Sequence, residues 1–256
     1  MSNLFLRCRR ETEPRAFYGQ LYGDSVLVID RAPWLGGTAT GTKYDLADVS
    51  LLAPVEPSKI VCIGLNYHAH VAASQSADVA PEYPLIFLKP PSAVIGPDAT
   101  IIHPPQSERV DYEAELGLVI GRTATKISED DAPRYIFGLT CVNDVTARDL
   151  QKKDGQWSRA KGFDTFCPIG PYVVTGVDYG NLSVEGVLND RVMQSGRTSE
   201  MIFKIPYLVS YISHVMTLNP GDVISTGTPS GIAPMKAGDV IEARVEAVGC
   251  LRNVMG

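Results

Sequence analysis

The stretch VDYEAELGLVIG, from Val110 to Gly121, alternates acidic and apolar residues before it becomes wholly apolar. Successive side chains of a strand point to opposite faces, so the pattern predicts a strand with Asp111, Glu113 and Glu115 on one face. Carboxylates two residues apart on a strand lie about 7 Å from each other. The apolar residues favour burial, where an unpaired charge is very costly. The acidic face must therefore meet water, as on an edge strand, or a partner must cancel its charge.

A second acidic stretch favours a partner that cancels this charge over exposure of the acidic face to water. In LTCVNDVTARDLQ an apolar strand, 139–142, delivers Asn143 and Asp144 at its end. Oxygen ligands from two strands, with no Cys or His pattern nearby, suit a hard cation such as Mg²⁺ or Mn²⁺ better than zinc. Such an ion would neutralise Glu113 and Glu115.

Composition excludes several classes of protein. A chain of 256 residues, 45% hydrophobic and 20% charged, can bury a sizeable core. The net charge of −6, without a basic block, is unlike that of a nucleic-acid-binding protein or a nuclease. No apolar run has the length of a membrane span and the first residues are no signal peptide, so we expect a cytoplasmic protein with no membrane partner. The five scattered cysteines form no CxxC and indicate reduced, buried thiols.

The order of the elements predicts an α+β fold that is mainly β. Residues 1–55 hold short strand-like pieces and form a small N-terminal β module, and residues 56–256 form the main domain. Ser128 with Asp131 predicts a helix through Phe137, and apolar spacing predicts a longer helix over Ile205–Thr217. The segment HAHVAASQSADVAPEYP, with small residues and prolines, predicts a lid that orders over bound ligand.

From about Lys59 to the C-terminus, the chain resembles the fumarylacetoacetate hydrolase family, particularly its short acylpyruvase and oxaloacetate decarboxylase-like members. Any one shared motif is weak evidence, whereas the whole set in order is strong. The motifs are GLNYHAH, FLKPPSAV, DYEAELGLVIG, VNDVTARD, AKGFDTFCPIGP, MIFKIPYLVSYIS and PGDVISTGTPSG.

The resemblance implies a catalytic domain with a β-roll fold, usually a homodimer. It also implies a divalent ion, Mg²⁺ or Mn²⁺, held by Glu113, Glu115 and Asp144. Asp111 would then lie at the rim of the site or behind the ligands. The substrates would be small 2-oxo acids, whose carboxylate and 2-oxo oxygens chelate an ion that keeps open coordination positions.

The resemblance also assigns Lys161, in RAKGFD, to the catalytic site, although most lysines lie on the surface. Thr228, in TGTPSG, matches a threonine that binds the substrate carboxylate, with an ordinary turn as the alternative. Lys89, in FLKPPS, is expected near the site without an assigned role.

Arg148 and Gln151 match polar family residues that face the substrate. For Arg148 an alternative is a structural salt bridge to Asp149 or Asp144. Both residues are predicted to bind substrate.

His70 is the candidate catalytic base. Relatives commonly pair it with a glutamate three residues later, and here that residue is Ala73. A histidine base works best when a carboxylate fixes its tautomer. Without that glutamate, His70 must use another partner, such as Glu82 or a substrate oxygen, or act unassisted.

These residues predict a metal-dependent enzyme that hydrolyses a C–C bond of acylpyruvates such as fumarylpyruvate or acetylpyruvate. Cleavage leaves an electron pair at C3 that spreads to the 2-oxo oxygen, where a cation stabilises it. Decarboxylation of oxaloacetate develops the same charge without a base that activates water, and keto/enol isomerisation is a further alternative. A binding protein that has lost the chemistry is the remote one.

Overall fold

The computed structural model describes residues 2–73 and 80–256, and strands dominate this part of the chain. The prediction of a mainly β fold with few helices is confirmed. The α-helices are α1 (His68–Ala73), α2 (Arg148–Asp154), α3 (Ser158–Lys161) and α4 (Ile205–Val215). The strands are β1 (Asn3–Arg10), β2 (Glu13–Tyr22), β3 (Ser25–Ile29), β4 (Ala39–Asp45), β5 (Ser50–Leu52), β6 (Ile60–Gly64), β7 (Leu85–Lys89), β8 (Val94–Ile95), β9 (Thr100–Ile101), β10 (Val110–Asp111), β11 (Ala114–Ile120), β12 (Ile136–Asn143), β13 (Thr146–Ala147), β14 (Cys167–Thr175), β15 (Ser183–Leu188), β16 (Arg191–Arg197), β17 (Val223–Ser225), β18 (Val240–Val245) and β19 (Gly249–Met255).

Most strands join one large sheet, in the order β4-β3-β2-β1-β14-β12-β11-β17-β6-β7. Strand β11 lies well inside it, antiparallel to β12 on one side and to β17 on the other. Every residue of β11 is buried. An edge strand with an acidic face in water is therefore wrong for this stretch, because neighbouring strands cover both of its edges.

A second sheet, in the order β16-β15-β18-β19-β9, packs against the first. The largest hydrophobic core combines Leu116 and Leu118 of β11 with Val184 of β15 and Ala243 and Val245 of β18. The main core thus lies between the two sheets and holds β11 rigidly.

Helix α4 covers one end of this core. Its buried residues Ile205, Leu208, Val209 and Ile212 follow the helical period, and each contributes about 1.5–3 kcal/mol by burial. The predicted helix over Ile205–Thr217 is confirmed, except that α4 ends at Val215.

The first five strands continue the large sheet. Strand β1 pairs with β14, with Leu4 opposite Val174, and β2 and β5 pair with β1. The division of the chain into residues 1–55 and 56–256 stays a prediction.

The predicted helix from Ser128 through Phe137 is wrong. The Ser128 hydroxyl does bond Asp131, at 2.8 Å between the side chains, as at the start of a helix. Only a 3₁₀ turn over Ala132–Tyr135 follows, because Ile136 already belongs to β12 and stands opposite Ile120 of β11. Pairing with a buried strand outweighs the local helix signal.

All five cysteines are free thiols, and four of them are buried. Cys250 is the exception to the predicted burial, since it lies exposed on β19. Among the helices of the described ranges, none combines the length and the apolar character needed to cross a membrane.

Candidate active site

The backbone around Glu113 departs from the regular strand that alternation predicts. Strand β10 ends at Asp111 and pairs with β13, whereas β11 begins at Ala114 and pairs with β12. The backbone N–H of Glu113, in the gap between them, donates to Oδ1 of Asn143 at 3.0 Å, and its carbonyl accepts the N–H of Asp144 at 2.9 Å. A single continuous strand starting at Val110 is therefore wrong. The break between β10 and β11 is held by these hydrogen bonds to the end of β12.

This arrangement brings three carboxylates together. Glu113, Glu115 and Asp144 each offer an oxygen within 4.8 Å of the others. Their exposed fractions are 5%, 1% and 1%, so water screens their mutual repulsion poorly. These are the residues that the resemblance implies as metal ligands, and that role stays a prediction.

Two buried lysines neutralise much of this charge. Lys161 donates from Nζ to Oε2 of Glu113 at 2.9 Å and to Oδ2 of Asp144 at 2.7 Å. Lys89 donates to Oδ1 of Asp144 at 2.5 Å and to the carbonyl of Val145 at 3.0 Å. Burial alone would lower the pKa of Lys161, but Asp144 and Glu113 raise it above its ordinary value, so the ammonium keeps its proton. A surface position for Lys161 is wrong, and Lys89 lies beside the carboxylates.

Glu115 is held differently. Its Oε2 accepts hydrogen bonds from the Ser225 hydroxyl at 2.5 Å and from the Gly227 N–H at 2.8 Å. Burial, followed by the charges of Asp144 and Glu113, raises the pKa of Glu115 to about 8. Glu115 is thus the carboxyl of the cluster that holds a proton near neutral pH.

Arg148 links the cluster to Asp111. Its Nε donates to Oδ2 of Asp111 at 2.8 Å, Nη1 donates to Oε1 of Gln151 at 2.6 Å, and Nη2 pairs with Glu113. Asp111 also accepts from Arg109 and is fully buried, so of its two expected positions the rim is wrong and the one behind the ligands is right. It lies behind the carboxylates instead, where it holds Arg148.

Arg148 does form salt bridges, but its partners are Asp111 and Glu113 and not the suggested Asp149 or Asp144. Asp149 bonds the Ser107 hydroxyl at 2.5 Å, and Asp144 pairs with the lysines. Burial alone would raise the pKa of Glu113, but Lys161 and Arg148 lower it below its ordinary value. Glu113 is therefore ionised at neutral pH.

The carboxylates line a pocket that is also lined by His70, Arg148, Gln151, Lys161 and Thr228. His70, on α1, is 7% exposed. Burial lowers its pKa, with Arg148 and Lys161 acting in the same direction and Glu113 opposing them. His70 is thus a neutral imidazole at pH 7.

Glu82 was suggested as a partner for His70, and the structure gives its exposure. His68 and Glu82 are both exposed. Residue 73 ends α1, its side chain is not described, and residues 74–79 of the predicted lid lie outside the described ranges.

The Thr228 hydroxyl has partners within the fold. It donates to the Ala114 carbonyl at 2.8 Å and accepts from Nε2 of Gln194 at 2.7 Å. Gln194 Oε1 in turn accepts the Ala114 N–H at 2.9 Å. A role of Thr228 in binding the substrate carboxylate stays a prediction.

Sequence reasoning missed Gln194, and it also missed the apolar side of the pocket, where Phe87 and Trp157 lie. The burial of Gln194 on β16 has no sequence signal, because its neighbours on that strand are exposed. Lys89 did have a signal, the motif FLKPPS, but the motif gives no partner.

The donor set fits a hard divalent cation. It consists of carboxylate oxygens held on rigid strands, and burial followed by mutual repulsion raises the pKa of Glu115, a repulsion that a cation would relieve. Glu113, Glu115 and Asp144 would hold the ion, while Lys89 and Lys161 keep the net charge of the cluster small.

The fold and this cluster define the class of protein. The chain belongs to the fumarylacetoacetate hydrolase family: the family model described as fumarylacetoacetate (FAA) hydrolase C-terminal matches residues 59–255. A second model, described as Rv2993c-like, N-terminal, matches residues 5–54.

Several of the named relatives are isomerases or tautomerases. The chain is 42% identical over 226 residues to oxaloacetate tautomerase YisK of Bacillus subtilis, covering 83% of this chain and 75% of that one. It is 43% identical over 220 residues to mitochondrial oxaloacetate tautomerase fahd2 of Xenopus laevis, covering 81% and 68%. The crystal structure of 5-carboxymethyl-2-hydroxymuconate delta-isomerase from Mycobacterium smegmatis matches with a TM-score of 0.92 and 42% identity, over 98% of each chain.

Proposed function

We propose that this protein interconverts the keto and enol forms of a small 2-oxo diacid such as oxaloacetate, with the help of a divalent ion. One observation carries the proposal: His70 and Lys161 line the same pocket, and their surroundings shift their pKa values in opposite directions. A neutral base beside a protonated acid is the pair that enolisation requires. The names of the tautomerase and isomerase relatives support the same class of reaction.

Each step of enolisation has a group in the pocket. In the keto-to-enol direction His70 accepts a proton from C3, and the C–H electron pair becomes the C2–C3 double bond as the carbonyl electrons move to the 2-oxo oxygen. The Lys161 ammonium donates a hydrogen bond to that oxygen and delivers a proton to it. The His70 imidazolium then loses its proton to solvent and Lys161 regains one, so each turnover restores both groups and consumes nothing.

The other residues orient the diacid. Arg148 presents its guanidinium at the pocket, fixed from behind by Asp111 and from the side by Gln151. A guanidinium held in this way is suited to a substrate carboxylate. A divalent ion held by Glu113, Glu115 and Asp144 would supply further positive charge where the enol oxygen develops.

Hydrolysis of acylpyruvates, the first prediction from the sequence, is the second candidate. Its support is that a buried neutral His70 can also take a proton from water beside the substrate. Hydrolysis needs the base at a water molecule, whereas enolisation needs it at C3. Decarboxylation of oxaloacetate needs no base at either position, and it is a side reaction that the same pocket would favour.

The test starts from enol oxaloacetate and follows the loss of its ultraviolet absorbance with the protein, with and without Mg²⁺. The parent should accelerate the decay, and His70→Ala should lose most of the effect, about 10²–10⁴-fold if the base is essential. His214→Ala is the matched control, because His214 is exposed on α4. Equal decay with the parent and His70→Ala would refute the proposal.

A parallel panel separates the candidates. Acetylpyruvate and fumarylpyruvate are assayed for cleavage products, and oxaloacetate for released CO₂. Cleavage that outpaces enol decay would favour the hydrolase. The expected homodimer and cytoplasmic location stay predictions, and light scattering of the purified protein tests the first.

A further inference from the structure

The pocket has an apolar side that the proposed reaction does not use. It is formed by Phe87 of β7 and Trp157, which precedes α3. Their ring centroids are 5.2 Å apart at an interplanar angle of 71°, an edge-to-face contact. We call these two residues the aromatic wall.

Trp157 occupies its position because residue 64 is glycine. A Cβ added at Gly64 would lie 2.6 Å from Cζ3 and 2.9 Å from Cη2 of the indole. Real Cβ atoms do not approach so closely, so the ring rests directly on the backbone at the end of β6. Trp157 is therefore fixed on one side by backbone and on the other by Phe87.

The aromatic wall stands close to the reacting groups. Nζ of Lys161 lies 5.0 Å from the centroid of Phe87 and 6.0 Å from that of Trp157. A substrate whose 2-oxo oxygen meets Lys161 thus has only a few ångströms before its distal part meets the rings.

We propose that Trp157, seated on Gly64 and against Phe87, limits the length of the substrate's distal group and restricts the site to short 2-oxo acids. The inference rests on the proposed function, because it assumes that the 2-oxo end binds at Lys161 and the carboxylates. Within a close-fitting pocket, one methylene too many changes selectivity by about 10–200-fold.

The experiment measures inhibition constants for a ladder of straight-chain 2,4-dioxo acids, from acetylpyruvate to hexanoylpyruvate, in competition with oxalate. Oxalate carries the two adjacent oxygens of the reacting end and has no distal group. In the parent, lengthening the chain by one methylene should, at one point in the series, weaken binding about tenfold or more. In Trp157→Ala that step should disappear, and in Trp157→Phe it should move to a longer chain.

The matched control is Leu88→Ala, because Leu88 follows Phe87 on β7 and is 45% exposed on the opposite face of the strand. It should keep the parent's ladder. Oxalate binding, measured by calorimetry, should be equal in the parent and in Trp157→Ala, which shows that the variant folds and keeps the reacting end of the site.

The outcomes are distinguishable. If oxalate fails to bind the parent with Mg²⁺ present, the proposed function fails. If oxalate binds the parent and Trp157→Ala equally but the two ladders coincide, the aromatic wall does not set the length limit and this inference is overturned. Because the ladder compares chain lengths within one variant, any effect of Trp157 on the Lys161 ammonium cancels.

Discussion

The raised pKa of Glu115, about 8, makes ion binding sensitive to pH. An ion needs the carboxylate form, so binding below pH 8 must first remove a proton. At pH 6 about 1% of the Glu115 side chains are ionised, against half at pH 8. Affinity for Mg²⁺ should therefore rise about 50-fold between these values, which corresponds to about 2.3 kcal/mol.

Calorimetry measures this directly. Titrations with Mg²⁺ or Mn²⁺ at pH 6, 7 and 8, each in buffers of different ionisation enthalpy, give the affinity and the protons released. Close to one proton per ion is expected at pH 6 and about half at pH 8. Ion at about 100 times its dissociation constant should also stabilise the fold by about 2.7 kcal/mol in thermal unfolding.

Two variants sharpen the result. Glu115→Gln carries no titrating group, so it should bind weakly and release no proton from this position. Glu129→Gln, at an exposed residue, should behave as the parent. Equal affinity at pH 6 and pH 8 without proton release would refute the assignment of the proton to Glu115, and unchanged binding by Glu115→Gln would remove it from the ligands.

Three further predictions concern Lys161, His70 and Ala73. Lys161→Ala should lower turnover and, because it leaves Glu113 with Arg148 alone and Asp144 with Lys89 alone, lower the free energy of unfolding by up to about 3 kcal/mol, as measured in urea; Lys152→Ala, at an exposed site on α2, should do neither. Full turnover in a folded Lys161→Ala variant would contradict its role. Since the base is the neutral imidazole of His70 and its pKa is lowered, kcat/KM measured with Mg²⁺ saturating at every pH should fall only as the pH drops below 6.5, and this limb should vanish in His70→Ala; an unchanged limb would assign it elsewhere. Ala73→Glu places a carboxylate three residues after His70 and should raise acylpyruvate hydrolysis relative to enol decay, whereas an unchanged ratio would show that no dyad forms.

The sequence predicted that three carboxylates come together, because these residues lie near strand ends, and their role as metal ligands stays a prediction. Glu113, Glu115 and Asp144 follow from a pattern of two acidic strands and from motifs shared with a family. Helix α4 followed from its apolar period, since burial against one core imposes that period on any helix. Each of these features can be predicted from a short stretch of sequence, without knowledge of residues elsewhere in the chain.

Other features had no local signal. The helix expected after Ser128 gave way to β12, because strand pairing with β11 is decided by residues elsewhere in the chain. For Asp111 both the rim and a position behind the ligands stayed open, because spacing cannot show that two arginines pair with it in the interior. Gln194 lies 80 residues from Ala114, to which it bonds, so no pattern near either residue announces the contact.

By itself, the sequence determined that buried carboxylates on adjoining strands need positive charge close by, because an isolated ionised group is too costly in a core. Only the tertiary structure decided which groups supply it. Lys89 stands 55 residues before Asp144 and Lys161 follows Glu113 by 48, yet both ammonium groups lie within 3 Å of those carboxylates. Electrostatic energy depends on distance through space, and that distance is set by how the sheets pack rather than by the order of the residues.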